Sequence, residues 1–201
     1  MPKLVIATNN PGKVRELRDL LAGCGWDVVG PRDLGLELDP AETGATYAEN
    51  ARLKAQAFAD ASGFAALADD SGLEVDALGG EPGALHHEHG WDGRNNEERI
   101  RILLDALKDV PSDRRTGRYR AVVTVVLPDG SSLEEEGAIE GVIVDTPAGH
   151  EGFGYDPVFF LPSRGRTMAQ LSPEEKNRIS HRAVAALKLY DRLKQLAPRY
   201  E

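Results

Sequence analysis

The strongest constraint on the fold is a change of periodicity partway along the chain. In the first half, short β-type runs alternate with helical patterns. Residues 3–8 form a strand-like run, and residues 12–23 form a helix with Val14, Leu17, Leu20, Leu21 and Cys24 recurring on one face. Residues 26–29 give a second strand, ended by Gly30-Pro31. Thr46-Tyr47-Ala48-Glu49 has the Thr-x-x-Glu form of a capping box and opens an alanine-rich helix that stops at Gly63. Residues 65–68 are a third strand, and residues 95–108 a helix with Ile100, Leu103, Leu104 and Leu107 on one face. The pattern then switches. Residues 118–127, the turn Pro128-Asp129-Gly130 and residues 131–144 read as a long antiparallel hairpin. Ser172-Pro173-Glu174-Glu175 opens a last helix whose apolar stripe is Ile179, Ala183, Leu187, Tyr190 and Leu193. Alternating β/α units followed by a hairpin predict an α/β protein with a mixed sheet. Neither a repeat nor a linker interrupts residues 1–201, which are read as one domain.

Composition narrows the function classes. A chain of 201 residues buries a core without staples, and its single cysteine, Cys24, excludes an internal disulfide. The formal charge, 24 − 33 = −9, argues against general nucleic-acid or anionic-membrane binding. The longest apolar run, near residues 121–127, is far shorter than a membrane span. The first residues enter a strand-like run without signal-peptide form, so the expectation is a cytoplasmic protein with neither nucleic acid nor membrane as partner.

Five polar segments carry candidate chemistry. Thr8-Asn9-Asn10-Pro11-Gly12-Lys13 lies between a strand and a helix, where backbone N–H groups and the helix dipole favour an anion. Lys13 is disfavoured by that dipole and so invites an anionic partner, although an ordinary turn with a solvated lysine has the same form. Asp69-Asp70-Ser71-Gly72 follows the third strand. Neighbouring strand residues point opposite ways, so a turn supplied by Ser71-Gly72 is expected to bring both carboxylates to one site, where hard oxygen donors suit Mg²⁺. A solvated turn is the alternative. Glu42-Thr43-Gly44 precedes the helix that carries Asn50 and Lys54 at i, i+4, while Glu49 is read as the partner of the Thr46 cap. Gly152-Phe153-Gly154-Tyr155-Asp156-Pro157 combines glycines that allow close approach with aromatics suited to stacking on a base. Finally, Lys176 with Ser180, and Arg178 with Arg182, are i, i+4 pairs. On one continuous helix they make a basic face that includes Ser180-His181-Arg182.

Taken in order, these segments resemble the inosine triphosphate pyrophosphatase family, also called Ham1-like proteins. The match spans Ala7 to Lys13, Glu42-Thr43-Gly44, Glu49-Asn50-Ala51 to Lys54-Ala55, Asp69 to Leu73, Gly152 to Pro157 and Ser180-His181-Arg182. Each motif is short, and six in order are specific. The resemblance implies a long mixed sheet with flanking helices, two lobes around a central cleft, and a homodimer. It implies hydrolysis of ITP, dITP and XTP to the monophosphate and pyrophosphate, with Mg²⁺ as cofactor. By the same resemblance Thr8, Asn9, Asn10, Pro11, Gly12 and Lys13 contact the triphosphate. Asp70 is proton acceptor and metal ligand, with Glu42 and Asp69 assisting at the metal. Ser71, Lys54 and Lys176 hold phosphate, and Phe153, Gly154, Tyr155, Asp156, His181 and Arg182 surround the base. A buried Arg182 would reward the 6-keto group of hypoxanthine or xanthine and be left unpaired by adenine.

One segment departs from the family's pattern. Where bacterial members usually carry Ser-Ala-Arg after Gly79-Gly80-Glu81-Pro82-Gly83, this chain has Ala84-Leu85-His86-His87-Glu88-His89-Gly90-Trp91. A transition-metal site on those histidines and a lineage-specific exposed loop are the two readings. The rival functions are a Maf-type nucleotide pyrophosphatase, whose usual Ser-Pro-Arg-Arg-type turn is replaced here by Asn-Pro-Gly-Lys, and a nucleotide-binding regulator without catalysis, which has no need of paired aspartates.

Overall fold

The computed structural model describes residues 1–84, 91 and 95–200. His86, His87, Glu88 and His89 therefore lie outside the described residues. The elements are β1 (Lys3–Ile6), α1 (Pro11–Leu20), β2 (Asp27–Val29), α2 (Tyr47–Ser62), β3 (Ala65–Val75), α3 (Asn96–Ala106), β4 (Thr116–Val126), β5 (Ser132–Ile143), β6 (Phe159–Leu161), β7 (Arg166–Thr167), α4 (Pro173–Ile179) and α5 (His181–Leu196). The strands form a mixed sheet of order β2-β1-β3-β4-β5-β6-β7. The β1 pairings with β2 and β3 are parallel, as β/α units require, while β5, β6 and β7 pair antiparallel. The expected α/β mixed sheet and the hairpin of β4 and β5 are both present.

Two compact units divide this chain, one of residues 1–71, 121–137 and 181–201, the other of residues 72–120 and 138–180. The backbone passes between them four times, at 71/72, 120/121, 137/138 and 180/181, so no single linker exists to be read from the sequence. In the first unit, strand alternation creates two apolar layers. Leu4, Ile6, Ala65 and Leu67 pack with Leu17 and Leu21 from the α1 segment and Leu189 and Leu193 of α5. Val5, Ala7, Ala66 and Ala68 face the other way, onto Ala55, Phe58 and Ala59 of α2. Cys24 is fully buried in the first layer, as a core residue should be. The second unit has its own core, in which Leu73, Val75 and Phe159 pack with Leu103 of α3.

Local signals explain the helix ends. Asn10 caps α1, its Oδ1 accepting from Gly12 N at 2.9 Å and Lys13 N at 3.3 Å, with Pro11 in the first turn. The Thr46/Glu49 box forms as expected, and Gly63 ends α2 at φ 70°. Among the described residues no helix is long and apolar enough to cross a membrane.

Two expectations need correction. The third strand does not stop at Ala68. Asp69, Asp70, Ser71 and Gly72 all lie within β3, which continues to Val75. The last helix is two helices, because Ser180 adopts φ −65°, ψ 155°, an extended conformation that ends α4 before α5 begins. That break resets the helical phase. Leu187, assigned to the apolar stripe, is 49% exposed, and Ala186 and Leu189 are buried instead.

Candidate active site

The continuation of β3 decides the geometry of the aspartate pair. Counting along the strand, Ala65, Leu67 and Asp69 share one face, and Ala66, Ala68 and Asp70 the other. Asp69 thus emerges on the side of α1 and α5, and Asp70 on the side of α2. Instead of meeting at a turn, the two carboxylates are held apart by the pleat.

On the Asp69 side, its Oδ2 accepts from Arg182 Nε at 2.9 Å, lies 3.2 Å from Lys13 Nζ, and accepts from Ser71 Oγ at 3.3 Å. Arg182 stands at the second position of α5 and is only 1% exposed. Its NH1 donates to Glu16 Oε2 at 2.5 Å and its NH2 to Ser71 Oγ at 3.3 Å. Burial disfavours the Asp69 charge, but Arg182 and then Lys13 and Lys54 outweigh it and hold this carboxyl far below the usual range. Burial also draws the Lys13 ammonium below its ordinary value, against the pull of Asp69. Asp69 Oδ1 is buried with no hydrogen-bond partner among the described residues.

On the Asp70 side, Oδ1 accepts from Lys54 Nζ at 2.8 Å, and the same ammonium donates to Glu42 Oε1 at 3.1 Å. Burial raises the Asp70 carboxyl; Lys54 opposes that, and the charge of Glu42 adds to the rise. For Lys54, burial pulls downward, but Asp70 and Asp69 more than compensate, and its pKa is raised. Asn50, on the Lys54 face of α2 as its spacing predicts, is 2% exposed and accepts from Gly44 N at 2.7 Å. A Cβ on Gly44 would stand 2.6 Å from Glu49 Cβ, so only glycine lets the Glu42–Gly44 segment lie this close to α2. Thr8 Oγ1 accepts from Asn10 N at 3.2 Å, and Asn9 Nδ2 donates to the Leu38 carbonyl at 2.8 Å, which fixes the loop leading into Lys13.

A separate cluster lies in the second unit. Asp156 Oδ2 accepts from Phe153 N and from Lys176 Nζ, both at 2.9 Å, and Lys176 Nζ sits 4.6 Å from the centre of the Phe153 ring. Tyr119 also hydrogen-bonds Asp156. Burial is the main cause that pushes the Tyr119 phenol well above its ordinary range, and the Asp156 charge adds to it. Gly152, at φ 79°, completes the loop: a Cβ there would lie 2.0 Å from Asp156 Oδ2. Gly152→Ala is accordingly expected to destabilise the protein by about 2–4 kcal/mol in urea denaturation, from left-handed strain and overpacking together. Gly154→Ala, at φ 63° with open space around it, is expected to cost only the strain, about 1–2 kcal/mol.

The model of the Ham1 family matches residues 4–192 of the chain. The chain belongs to the Ham1 family. A relative from Symbiobacterium thermophilum named dITP/XTP pyrophosphatase is 48% identical over 199 residues, covering 96% of this chain and 96% of its own. One of the same name from Thermus thermophilus is 46% identical, covering 98% and 94%. The solved Staphylococcus aureus Ham1 protein superposes with a TM-score of 0.83 at 38% identity, covering 96% of this chain and 98% of its own. These matches favour the Ham1 reading over the Maf-type and regulator alternatives.

Within this Ham1 chain the segments are not all brought together as the spacing suggested. The break at Ser180 removes the basic helix face. Lys176 is buried on Asp156, and Arg182 is buried on Asp69 and Glu16. The guanidinium assigned to a purine carbonyl therefore already bonds Asp69, Glu16 and Ser71. His181 is buried beside it in sequence, at 5% exposure. Glu42, Asp69 and Asp70 do not converge as a trio, and no group of three metal-ligating side chains is present among the described residues. Two residues were not singled out by sequence: Glu16, which its i, i+3 spacing from Lys13 makes visible in retrospect, and Tyr119, for which no local signal exists.

Proposed function

We propose that this chain hydrolyses deaminated purine nucleoside triphosphates (ITP, dITP and XTP) at the α–β phosphoanhydride, releasing the monophosphate and pyrophosphate. The observation that carries this reading is the division of labour between the two aspartates. Asp69 is committed through its Oδ2 to Arg182 and Lys13. Asp70, with a raised pKa, stands beside Lys54 and Glu42, where a proton acceptor for water is needed. The relatives named dITP/XTP pyrophosphatase support the substrate class.

Asp70 and Glu42 fit Mg²⁺: both offer hard oxygens on one ammonium, and a site of two carboxylates leaves room for the waters this ion keeps. Asp69 fits less well, since its Oδ2 is shared by Arg182, Lys13 and Ser71. Bound there, Mg²⁺ would supply charge stabilisation at the phosphate oxygens. Lys54 would position the Asp70 carboxylate and, with Lys13 and Ser71, receive negative charge from the substrate. In the second unit, Phe153 to Asp156 and Lys176 enter the proposal in the base- and phosphate-binding roles that the resemblance implies, as do His181 and Arg182. A homodimer and a cytoplasmic location are part of the same proposal.

The test is a panel of ITP, dITP, XTP, GTP and ATP, with and without Mg²⁺, scored by pyrophosphate release. The first three are expected to turn over far faster than ATP, and only with the metal. Equal rates on every purine triphosphate would sink the specificity, and full activity in a chelator would sink the metal.

A further inference from the structure

Helix α1 has two polar faces. Lys13 and Glu16 point at Asp69 and Arg182, whereas Pro11, Val14, Arg15 and Arg18, with Thr8 and Asn9 of the preceding loop, line a cavity of about 260 Å³ on the other side of the helix. At the helical advance of about 100° per residue, the mean directions of these two sets differ by about 180°. The opposite wall is the short 3₁₀ turn Pro31–Leu34 and Gly30 before it. The cavity lies wholly within the first unit.

Its charge runs against that of the chain. Three guanidiniums, Arg15, Arg18 and Arg32, face a single carboxylate, Asp33, so the lining carries 3 − 1 = +2 in a protein of net charge −9. Asp33 is already engaged: its Oδ2 accepts from Arg18 NH2 at 2.6 Å and from Gly30 N at 2.8 Å. The Gly30 amide first, and then Arg18, hold its carboxyl below the ordinary value. Arg18 is fixed in turn by a bond from Nε to the Val28 carbonyl at 3.2 Å. Arg15 and Arg32 are exposed and have no hydrogen bond or ion pair among the described residues. Gly30 keeps the floor open, since a Cβ there would stand 3.2 Å from Val14 Cγ1 and 3.8 Å from Arg18 NH2.

We propose that this cavity is a second ligand site, which shares Thr8, Asn9 and Pro11 with the proposed substrate site but lies on the opposite face of α1 from Asp69, and that it takes a small phosphomonoester. Arg15 and Arg32 would hold the phosphate, because guanidinium forks match its oxygens bidentately. Arg18 supplies a pre-oriented positive charge beside them. Pro11, Val14 and Pro31 offer apolar wall to the carbon portion. The volume admits a ligand of pentose-phosphate size.

Ribose 5-phosphate is the probe, titrated into isotope-labelled protein and followed by amide shifts. Saturable shifts confined to Val14, Arg15, Gly30 and Arg32 are expected, with a Kd of about 1 mM or tighter for a ligand of this size, weakening as salt rises. In the Arg15→Ala/Arg32→Ala double variant the affinity is expected to fall about tenfold or more, while pyrophosphate release stays unchanged. Absence of saturation at about ten times that concentration, or equal affinity in the double variant, would overturn the site. Equal affinity for inorganic phosphate would overturn its assignment to an ester.

Discussion

Replacing Arg182 by methionine is expected to cost about 3–5 kcal/mol of folding stability, the usual penalty for removing one partner of a buried ion pair. The guanidinium is 1% exposed and bonds Asp69, Glu16 and Ser71, so the variant strands an aspartate that is itself 1% exposed. Lys13 is the only cation left at contact distance of Asp69 among the ion pairs described. A shift of the urea midpoint at constant slope measures the loss. The pH dependence separates this cause from lost packing. The folded pKa of Asp69 is depressed, so its contribution is present above the unfolded value near 3.9 and disappears as pH falls toward the much lower folded one. Wild-type stability should therefore begin to decline below about pH 5 and fall most steeply below about 3.9, and the variant should decline less steeply over that range. A variant as stable as wild type, with an unchanged pH slope, would show that Arg182 does not hold Asp69 in solution.

The second large effect is on chemistry. Asp70→Asn is expected to lower kcat by about 10²–10⁴-fold, the range for loss of a positioned base, while binding of ITP persists. The environment that makes Asp70 suited to this role is local: burial lifts its carboxyl, Glu42 lifts it further, and Lys54 at 2.8 Å keeps it oriented. Asp69→Asn supplies the contrast, because Asp69 works through Arg182 and Lys13 and its removal should appear first as lost stability. Normal turnover in Asp70→Asn would take that residue out of the mechanism.

The contrast between these neighbours marks how far the sequence could be read. Every strong local signal corresponds to an element: the Thr46/Glu49 box, the Gly63 stop and the β4–β5 hairpin. The Asn50 and Lys54 spacing also placed both on one face of α2. The reading failed at Asp69 and Ser180. A strand carrying Asp-Asp-Ser-Gly looks like a strand that has ended, since these residues favour turns. Here sheet pairing and buried cations override that preference. Had the alternation of residues 65–68 been continued, the opposite facing of Asp69 and Asp70 would have followed from the period of two alone. Ser180 offered less. A serine inside a helical pattern does not announce a break, and a single extended residue sent Lys176 to Asp156 and Arg182 to Asp69.

The sequence by itself determined the class of fold, the order of its elements, the family and the residue types on which the chemistry rests, because these depend on periodicity, caps and motifs carried by neighbouring residues. Only the tertiary structure decided which charge each of those residues meets. Arg182 and Asp69, 113 residues apart in sequence, are brought to 2.9 Å, and Tyr119 of β4 meets Asp156 of the loop that precedes β6. The physical reason is that side-chain charge acts over a few ångströms of space. The sum of −9 is fixed by composition, but the buried pairs that set apart two adjacent aspartates are fixed by packing.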